Sequence, residues 1–299
     1  MQQRTACNKK EFDFEGGLSL PRPCLRGGGA KREDGMFLPD KIKKLIGEES
    51  YKTDDIGMSG SCIWIFQDKV LKVQQQGDEA ENEHRMMEYL RGRLPVPEVY
   101  AYEEAQGRVY LLMSKIAGQM ACSHEYMSDP KLQCRMLAEG LRQLWSIDVS
   151  DCPSDQRLEK KLKAAAYNVE HGLVDLENVQ PDTFGEKGFG DLEELLEWLY
   201  ENRPKEEPVL SHGDYCLPNL LGIQEKVTGY IDLGRMGIAD KWCDIALCCR
   251  SLSGNYSGQY GRGLDCVYTG YDEMALFEEL DLKPDWEKIH YYILLDELF

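Results

Sequence analysis

Hydrophobic and polar positions change their period about a third of the way along the chain. Before that point short apolar runs dominate. Residues 62–66 (Cys-Ile-Trp-Ile-Phe) and 69–73 (Lys-Val-Leu-Lys-Val) predict two strands joined by a two-residue turn at Gln67-Asp68, and residues 108–113 predict another. A short helix is expected over 40–46, stopped by Gly47, and a longer one over 78–91, stopped by Gly92 with Pro95 and Pro97 beyond it. After Ser114 the pattern becomes helical. Pro130 stands at a first helical position behind Ser128 and Asp129, and Leu132, Met136, Leu137, Leu141, Leu144 and Trp145 then mark one face. Further helices are expected over 155–171, 191–202, 240–250 and from near Pro284 to the end. Between them, residues 208–210, 220–223 and 227–231 read as short strands, the last two turning at Gln224-Glu225-Lys226.

The helix over 78–91 breaks its own pattern. Its apolar stripe is Ala80, Met86, Met87 and Leu90, and Glu83 falls inside that stripe. An inward carboxylate needs a partner, because an unpaired buried charge is costly. Lys72 on the preceding strand is the natural one; the alternative is that Glu83 lies at the edge of the stripe and reaches solvent. Before the strands, residues 56–61 (Ile-Gly-Met-Ser-Gly-Ser) form a small-residue loop. Such a loop lets backbone N–H groups approach phosphate oxygens, although most Gly/Ser loops are simply turns.

Candidate chemistry concentrates in 210–221 (Leu-Ser-His-Gly-Asp-Tyr-Cys-Leu-Pro-Asn-Leu-Leu) and 231–234 (Ile-Asp-Leu-Gly). This stretch offers two carboxylates, Asp214 and Asp232, and one amide oxygen, Asn219. A hairpin can bring Asn219 and Asp232 side by side, with Asp214 entering from the preceding loop. Two hard oxygen ligands without thiolate or imidazole suit Mg²⁺. A free carboxylate beside them suits a base that orients a hydroxyl for phosphoryl transfer.

His-x-Asp-x-x-x-x-Asn followed by Asp-x-Gly resembles the catalytic and metal-binding pair of the protein-kinase-like fold, with Gly213 in place of the usual Arg and Leu233 in place of Phe. That variant resembles the antibiotic-kinase branch, specifically the aminoglycoside 3′-phosphotransferase family, over roughly residues 36–299. The resemblance implies a two-lobed α+β fold: a nucleotide-binding lobe over 36–115 built on a small antiparallel sheet, then a mainly helical catalytic and substrate-binding lobe over 116–299. It implies Asp214 as the catalytic base and Asn219 and Asp232 as Mg²⁺ ligands. ATP (with GTP not excluded) would be held by Lys72, fixed by Glu83, by Met58 and Ser59 in the small-residue loop, and by backbone groups of Ser114 and Ile116 at the hinge. Asp244 resembles the aspartate that braces the catalytic loop.

The acceptor follows from what is missing. Only a few residues separate Asp232 from the helix near Asp240, leaving no room for the long segment on which protein kinases dock a peptide, so a small molecule is expected and a protein substrate is not. In the family, acidic side chains, an arginine and the chain's end surround a polycationic aminoglycoside; Glu177, Arg235, Glu297 and Phe299 match those positions. The match is incomplete: Gln180 stands where a second acid is expected, and Ser253-Gly254-Asn255 replaces an acidic pair. An insertion-like stretch follows over 256–270, in and after which Asp265, Asp272 or Glu273 would restore the charge. The expected activity is ATP-dependent phosphorylation of an aminoglycoside hydroxyl, at the 3′ position, conferring resistance. The alternatives are a kinase for a macrolide or an amino alcohol, or a nucleotide-binding module without transfer.

Composition agrees. Lys+Arg 35 against Asp+Glu 53 give a net charge of −18, which opposes a nucleic-acid partner and suits a cationic one. Eleven cysteines show no Cys-x-x-Cys pair, so reduced thiols in a cytoplasmic protein are expected. No run of apolar residues is long enough to span a membrane. Residues 1–35 hold seven basic residues against five acidic, with glycine clusters and no sustained period, and are expected to be a disordered leader.

Overall fold

The computed structural model describes residues 36–53, 61–176, 179–180, 182–185, 188–260 and 268–299. The expected leader, Met58, Ser59, Glu177 and Asp265 lie outside the described residues. Helix α1 (Asp40–Ile46) precedes strands β1 (Lys52–Thr53), β2 (Cys62–Ile65) and β3 (Lys69–Gln75). Helix α2 (Asp78–Leu90) and strands β4 (Val99–Ala105) and β5 (Arg108–Ser114) follow. The strands make one antiparallel sheet in the order β1-β2-β3-β5-β4. Strand β3 is central, pairing with β5 from Lys69 opposite Ser114 to Gln75 opposite Arg108. Met86, Met87 and Leu90 of α2 are fully buried, as the stripe predicted.

Strand β4 is absent from the expected elements. It sits at the sheet edge, pairs with β5 alone, and carries a bulge between Val99 and Ala101 that resets which side chains face inward. With one face in solvent and a shifted register, Val-Tyr-Ala-Tyr-Glu-Glu-Ala shows no clean alternation.

The larger, mainly helical part contains β6 (Gln119–Met120), α3 (His124–Met127), α4 (Pro130–Trp145), α5 (Leu158–His171) and α6 (Leu192–Glu201). It continues with β7 (Pro208–Ser211), β8 (Leu220–Ile223), β9 (Lys226–Tyr230) and β10 (Gly237–Asp240), then α7 (Lys241–Tyr256), α8 (Ala275–Leu280) and α9 (Trp286–Asp296). Helix α4 starts as the sequence predicts: the Asp129 side chain accepts the Leu132 N–H, and Pro130 occupies the first turn. Its buried face (Met136, Leu137, Leu141, Leu144) supports the strands below it. Two tyrosine hydroxyls fasten this contact, Tyr215 donating to the Leu137 carbonyl at 2.7 Å and Tyr230 to the Gly140 carbonyl at 2.9 Å.

Strand β10 pairs antiparallel with β7, and neither β10 nor α8 was expected. Four residues opening on glycine and closing on aspartate give little strand signal. Helix α7 is longer than the expected 240–250, running through Ser253-Gly254-Asn255 to Tyr256. Because Trp242, Ile245, Ala246, Leu247, Cys248 and Leu252 are all buried, it lacks the one-sided stripe by which a surface helix is traced. Helix α9 ends at Asp296, short of the chain end.

Candidate active site

The loop after β7 is held from beneath by one buried carboxylate. Asp244, fully buried on α7, accepts hydrogen bonds from Ser211 Oγ, the His212 N–H and the Gly213 N–H, each at 2.9 Å. Burial pushes its carboxyl up from the ordinary range, against the pull of His212 and these donors. Gly213 is confined to glycine: its φ is +81°, and a Cβ there would stand 2.1 Å from the Arg235 carbonyl oxygen. His212 is buried, with Nε2 3.1 Å from the Ile231 carbonyl oxygen and Nδ1 accepting the Asp214 N–H at 3.3 Å. The two halves of the site are thus tied through one imidazole.

Asp214 leaves this loop partly exposed, and Asn219 turns toward it. The Asn219 amide donates to Asp214 Oδ2 at 2.8 Å and to the Asp214 carbonyl at 3.0 Å. The hairpin of β8 and β9 opposes Leu220 and Tyr230, and the Ile231 N–H donates to the Asn219 carbonyl at 3.0 Å, so Asp232 emerges beside Asn219. Asp232 adopts a left-handed backbone (φ 61°, ψ 60°), which is uncommon for a residue with a side chain and concentrates at functional sites.

Lys72 reaches this point from β3. Its ammonium lies 2.9 Å from Glu83 Oε2 and 2.8 Å from Asp232 Oδ1, so one cation bridges the two parts of the fold. Glu83 is 1% exposed and also accepts from Gln74 Nε2 at 2.9 Å, which settles its direction: it faces inward. Burial opposes the charge on Lys72, but Glu83 and Asp232 outweigh it and hold the amine above its ordinary range. The Glu83 carboxyl is pushed up by burial, with Lys72 and Gln74 opposing. Burial also acts on Asp232, but Lys72 dominates and its carboxyl is held low.

These groups line a cleft of about 880 Å³. At one end Ile63, Ile65, Val70, Met113, Leu221 and Ile231 make an apolar slot bordered by Ser114 and Ile116. The Ser114 N–H is taken by the Glu98 carbonyl at 2.8 Å, so what Ser114 can offer a ligand there is its carbonyl. At the other end are Gln180, Arg250, Asn255, Tyr260, Asp296, Glu297 and Phe299.

A profile of the phosphotransferase enzyme family (APH) matches residues 64–277. The chain belongs to this family. It is 38% identical over 277 residues to an aminoglycoside 3′-phosphotransferase of Enterococcus faecalis, covering 88% of this chain and 99% of that protein. The solved structure of an aminoglycoside-3′-phosphotransferase of type VIII is 26% identical with a TM-score of 0.63, covering 87% of this chain and 98% of that one. Aminoglycoside phosphotransferase APH(3″)-Id of Streptomyces rimosus, solved with ADP and streptomycin, shares the fold at a TM-score of 0.68 and 21% identity, covering 86% and 96%. The fold is thus the two-lobed kinase-like α+β fold of the phosphotransferase enzyme family, with the cleft between sheet and helices.

The residues of this family member fit a hard divalent cation. Among the described residues no cluster of three His, Cys, Asp or Glu side chains is arranged to hold a metal. Asn219 and Asp232 are a sparser set, of the kind Mg²⁺ accepts while keeping water and phosphate oxygens. Asn219 spends its NH₂ on Asp214, leaving its carbonyl oxygen as an acceptor. Asp232 gives Oδ1 to Lys72, and its second oxygen has no hydrogen-bond donor among the described residues.

The residues matched to the acceptor are not all brought together. Glu297 lines the cleft only, Phe299 lines both the cleft and a second cavity of about 490 Å³ walled by α2, α5, α7 and α9, and Arg235 opens onto that second cavity only. There it pairs with Glu79 at 3.0 Å and Asp296 at 3.2 Å, and its guanidinium lies 5.7 Å from the centre of the Phe299 ring. The sequence did not single out Asp296, which is half-buried, lines both cavities and is bonded through Oδ1 to Arg235 and through Oδ2 to Arg250. An aspartate on a helix beside the already noted Glu297 gives no periodic signal that two arginines converge on it. Glu297 is 6% exposed; Oε2 accepts the Gln180 N–H at 2.9 Å, and Oε1 is buried with no partner among the described residues. Burial pushes its carboxyl up to about 6.

Proposed function

We propose that this protein transfers the γ-phosphoryl group of ATP to a hydroxyl of an aminoglycoside, the 3′ hydroxyl by kinship with its relatives. The observation that carries the reading is the convergence of Lys72 on Glu83 at 2.9 Å and Asp232 at 2.8 Å in the cleft that Asp214 and Asn219 also line. The apolar slot beside Ser114 and Ile116 suits a nucleotide base, and Lys72 stands where it can hold phosphates while Glu83 fixes its position. Asp214 orients the acceptor hydroxyl and takes up its proton as the new oxygen–phosphorus bond forms and the bond to ADP breaks. Asn219 keeps the Asp214 carboxylate aimed by donating to Oδ2. Asn219 and Asp232 would hold Mg²⁺, which neutralises phosphate charge when bound. Because phosphoryl transfer proceeds through a loose transition state, positioning and charge matter more than the strength of the base.

Glu297 and Phe299 border the space left for the acceptor, and Glu297 supplies a carboxylate for an ammonium group. Arg235 acts at one remove, through Asp296 and Phe299. A coupled assay of ADP release across kanamycin, neomycin, erythromycin and choline tests the reading. Stimulation by aminoglycosides alone is expected. Stimulation by erythromycin or choline alone makes the protein a kinase for another hydroxylated compound, and no stimulation by any acceptor makes it a binding module.

A further inference from the structure

We propose that Tyr260 is a specificity-determining residue of the acceptor end, presenting its ring to the sugar face of the substrate from a seat made by Gly254; this rests on the aminoglycoside reading above. The seat is specific to glycine. A Cβ at Gly254 would stand 2.2 Å from Tyr260 Cε2 and 2.7 Å from Cδ2, closer than real side chains approach. The backbone is fastened at the same place, the Tyr260 N–H donating to the Gly254 carbonyl at 3.3 Å. Around it, Tyr256 stacks on Tyr271 at 4.7 Å between ring centres, and His124 Nδ1 meets the Tyr268 hydroxyl at 3.1 Å.

A tyrosine that merely closed the end of α7 would be covered. Tyr260 is instead 49% exposed and lines the cleft together with Arg250, Asn255 and Glu297. The charge around it favours ring stacking over ion pairing. Asp296 is paired with two arginines, Arg235 through Oδ1 and Arg250 through Oδ2, so its charge is already compensated and this wall offers a substrate ammonium little net attraction. An aromatic face can hold a sugar ring through its C–H edge without a charge, and aromatic contacts of this size change affinity by roughly tenfold. The acceptor class that fits carries a ring with hydroxyls on one face beside Tyr260 and an ammonium directed to Glu297.

The test compares wild type, Tyr260→Phe, Tyr260→Ala, Gly254→Ala and the double variant Gly254→Ala/Tyr260→Ala, measuring KM for kanamycin and neomycin, KM for ATP, and the melting temperature. Tyr260→Ala is expected to raise the aminoglycoside KM roughly tenfold, with Tyr260→Phe close to wild type. Gly254→Ala should do the same by displacing the ring, and the double variant should be no worse than Tyr260→Ala alone, since the clash has gone. KM for ATP should stay within about twofold throughout. Aminoglycoside KM unchanged in Tyr260→Ala, or additive losses in the double variant, overturns the proposal. A fall in melting temperature with both KM values unchanged does so too, by making Tyr260 structural. A wild type that phosphorylates no aminoglycoside overturns the function reading first, and this inference falls with it.

Discussion

Replacing Glu297 by Gln should remove a pH-dependent part of the stability and so report the carboxyl's surroundings. Burial raises this group from 4.5 to about 6. Between those values the native state binds its proton more tightly than the unfolded chain does. The stability it contributes is therefore fully present below pH 4.5 and lost as pH rises through about 6. Each pH unit between the two values corresponds to about 1.4 kcal/mol, so ionisation costs the wild type about 2 kcal/mol by pH 8. Gln does not ionise. A buried amide at the Oε1 position, which has no partner among the described residues, adds its own cost, but that cost does not change with pH. The stability of Glu297→Gln relative to wild type should thus rise by about 2 kcal/mol between pH 4 and pH 8. Urea unfolding followed by tryptophan fluorescence at stepped pH measures this difference, with the slope m checked for constancy. A difference independent of pH, or one that falls as pH rises, would refute the reasoning. The same variant should bind aminoglycoside less tightly at pH 8, because the carboxylate kept at the expense of stability is the one available to a cation.

Lys72→Met and Glu83→Gln should each raise the KM for ATP, and the double variant should depart from additivity by roughly 1–3 kcal/mol, because the two side chains are buried against each other at 2.9 Å. Additive effects in that cycle would dissolve the pair. Asp244→Asn places an amide NH₂ against either the His212 N–H or the Gly213 N–H, since both carboxylate oxygens now accept backbone donors. It should cost about 2–4 kcal/mol and lower kcat by loosening the loop that carries Asp214; unchanged melting temperature and kcat would show that the loop holds itself.

Much of this site was legible because its signals are local. The spacing from Asp214 to Asn219 and the turn at Gln224-Glu225 lie within one short stretch, and Glu83 stood out by violating an apolar stripe. The observed turn is tighter than expected, with Ile223 already paired to Lys226. What escaped depends on distant partners. Strand β4 shows no clean alternation at its bulged edge, β10 takes its identity from β7, and α7 is buried on too many sides to show a stripe. Asp296 matters because Arg235 and Arg250 arrive from other elements. The helix expected over 240–250 left Gly254 outside it, as part of the stretch replacing an acidic pair, yet α7 runs through Gly254 and Tyr260 is seated there, which only the packing reveals.

The central claim is transfer to an aminoglycoside hydroxyl with Asp214 as base, and ³¹P NMR of the complete reaction with kanamycin tests it most directly. Wild type should convert ATP to ADP and an equal amount of a phosphomonoester whose resonance couples to a sugar ring proton. Asp214→Asn should form that product roughly 10²–10⁴-fold more slowly while ATP affinity stays within about threefold, because Lys72, Asp232 and the apolar slot make no hydrogen bond to Asp214 and Asn219 keeps its bond to the Asp214 carbonyl. ADP and inorganic phosphate appearing without a sugar phosphomonoester, or Asp214→Asn retaining more than about a tenth of the wild-type rate, would contradict the account.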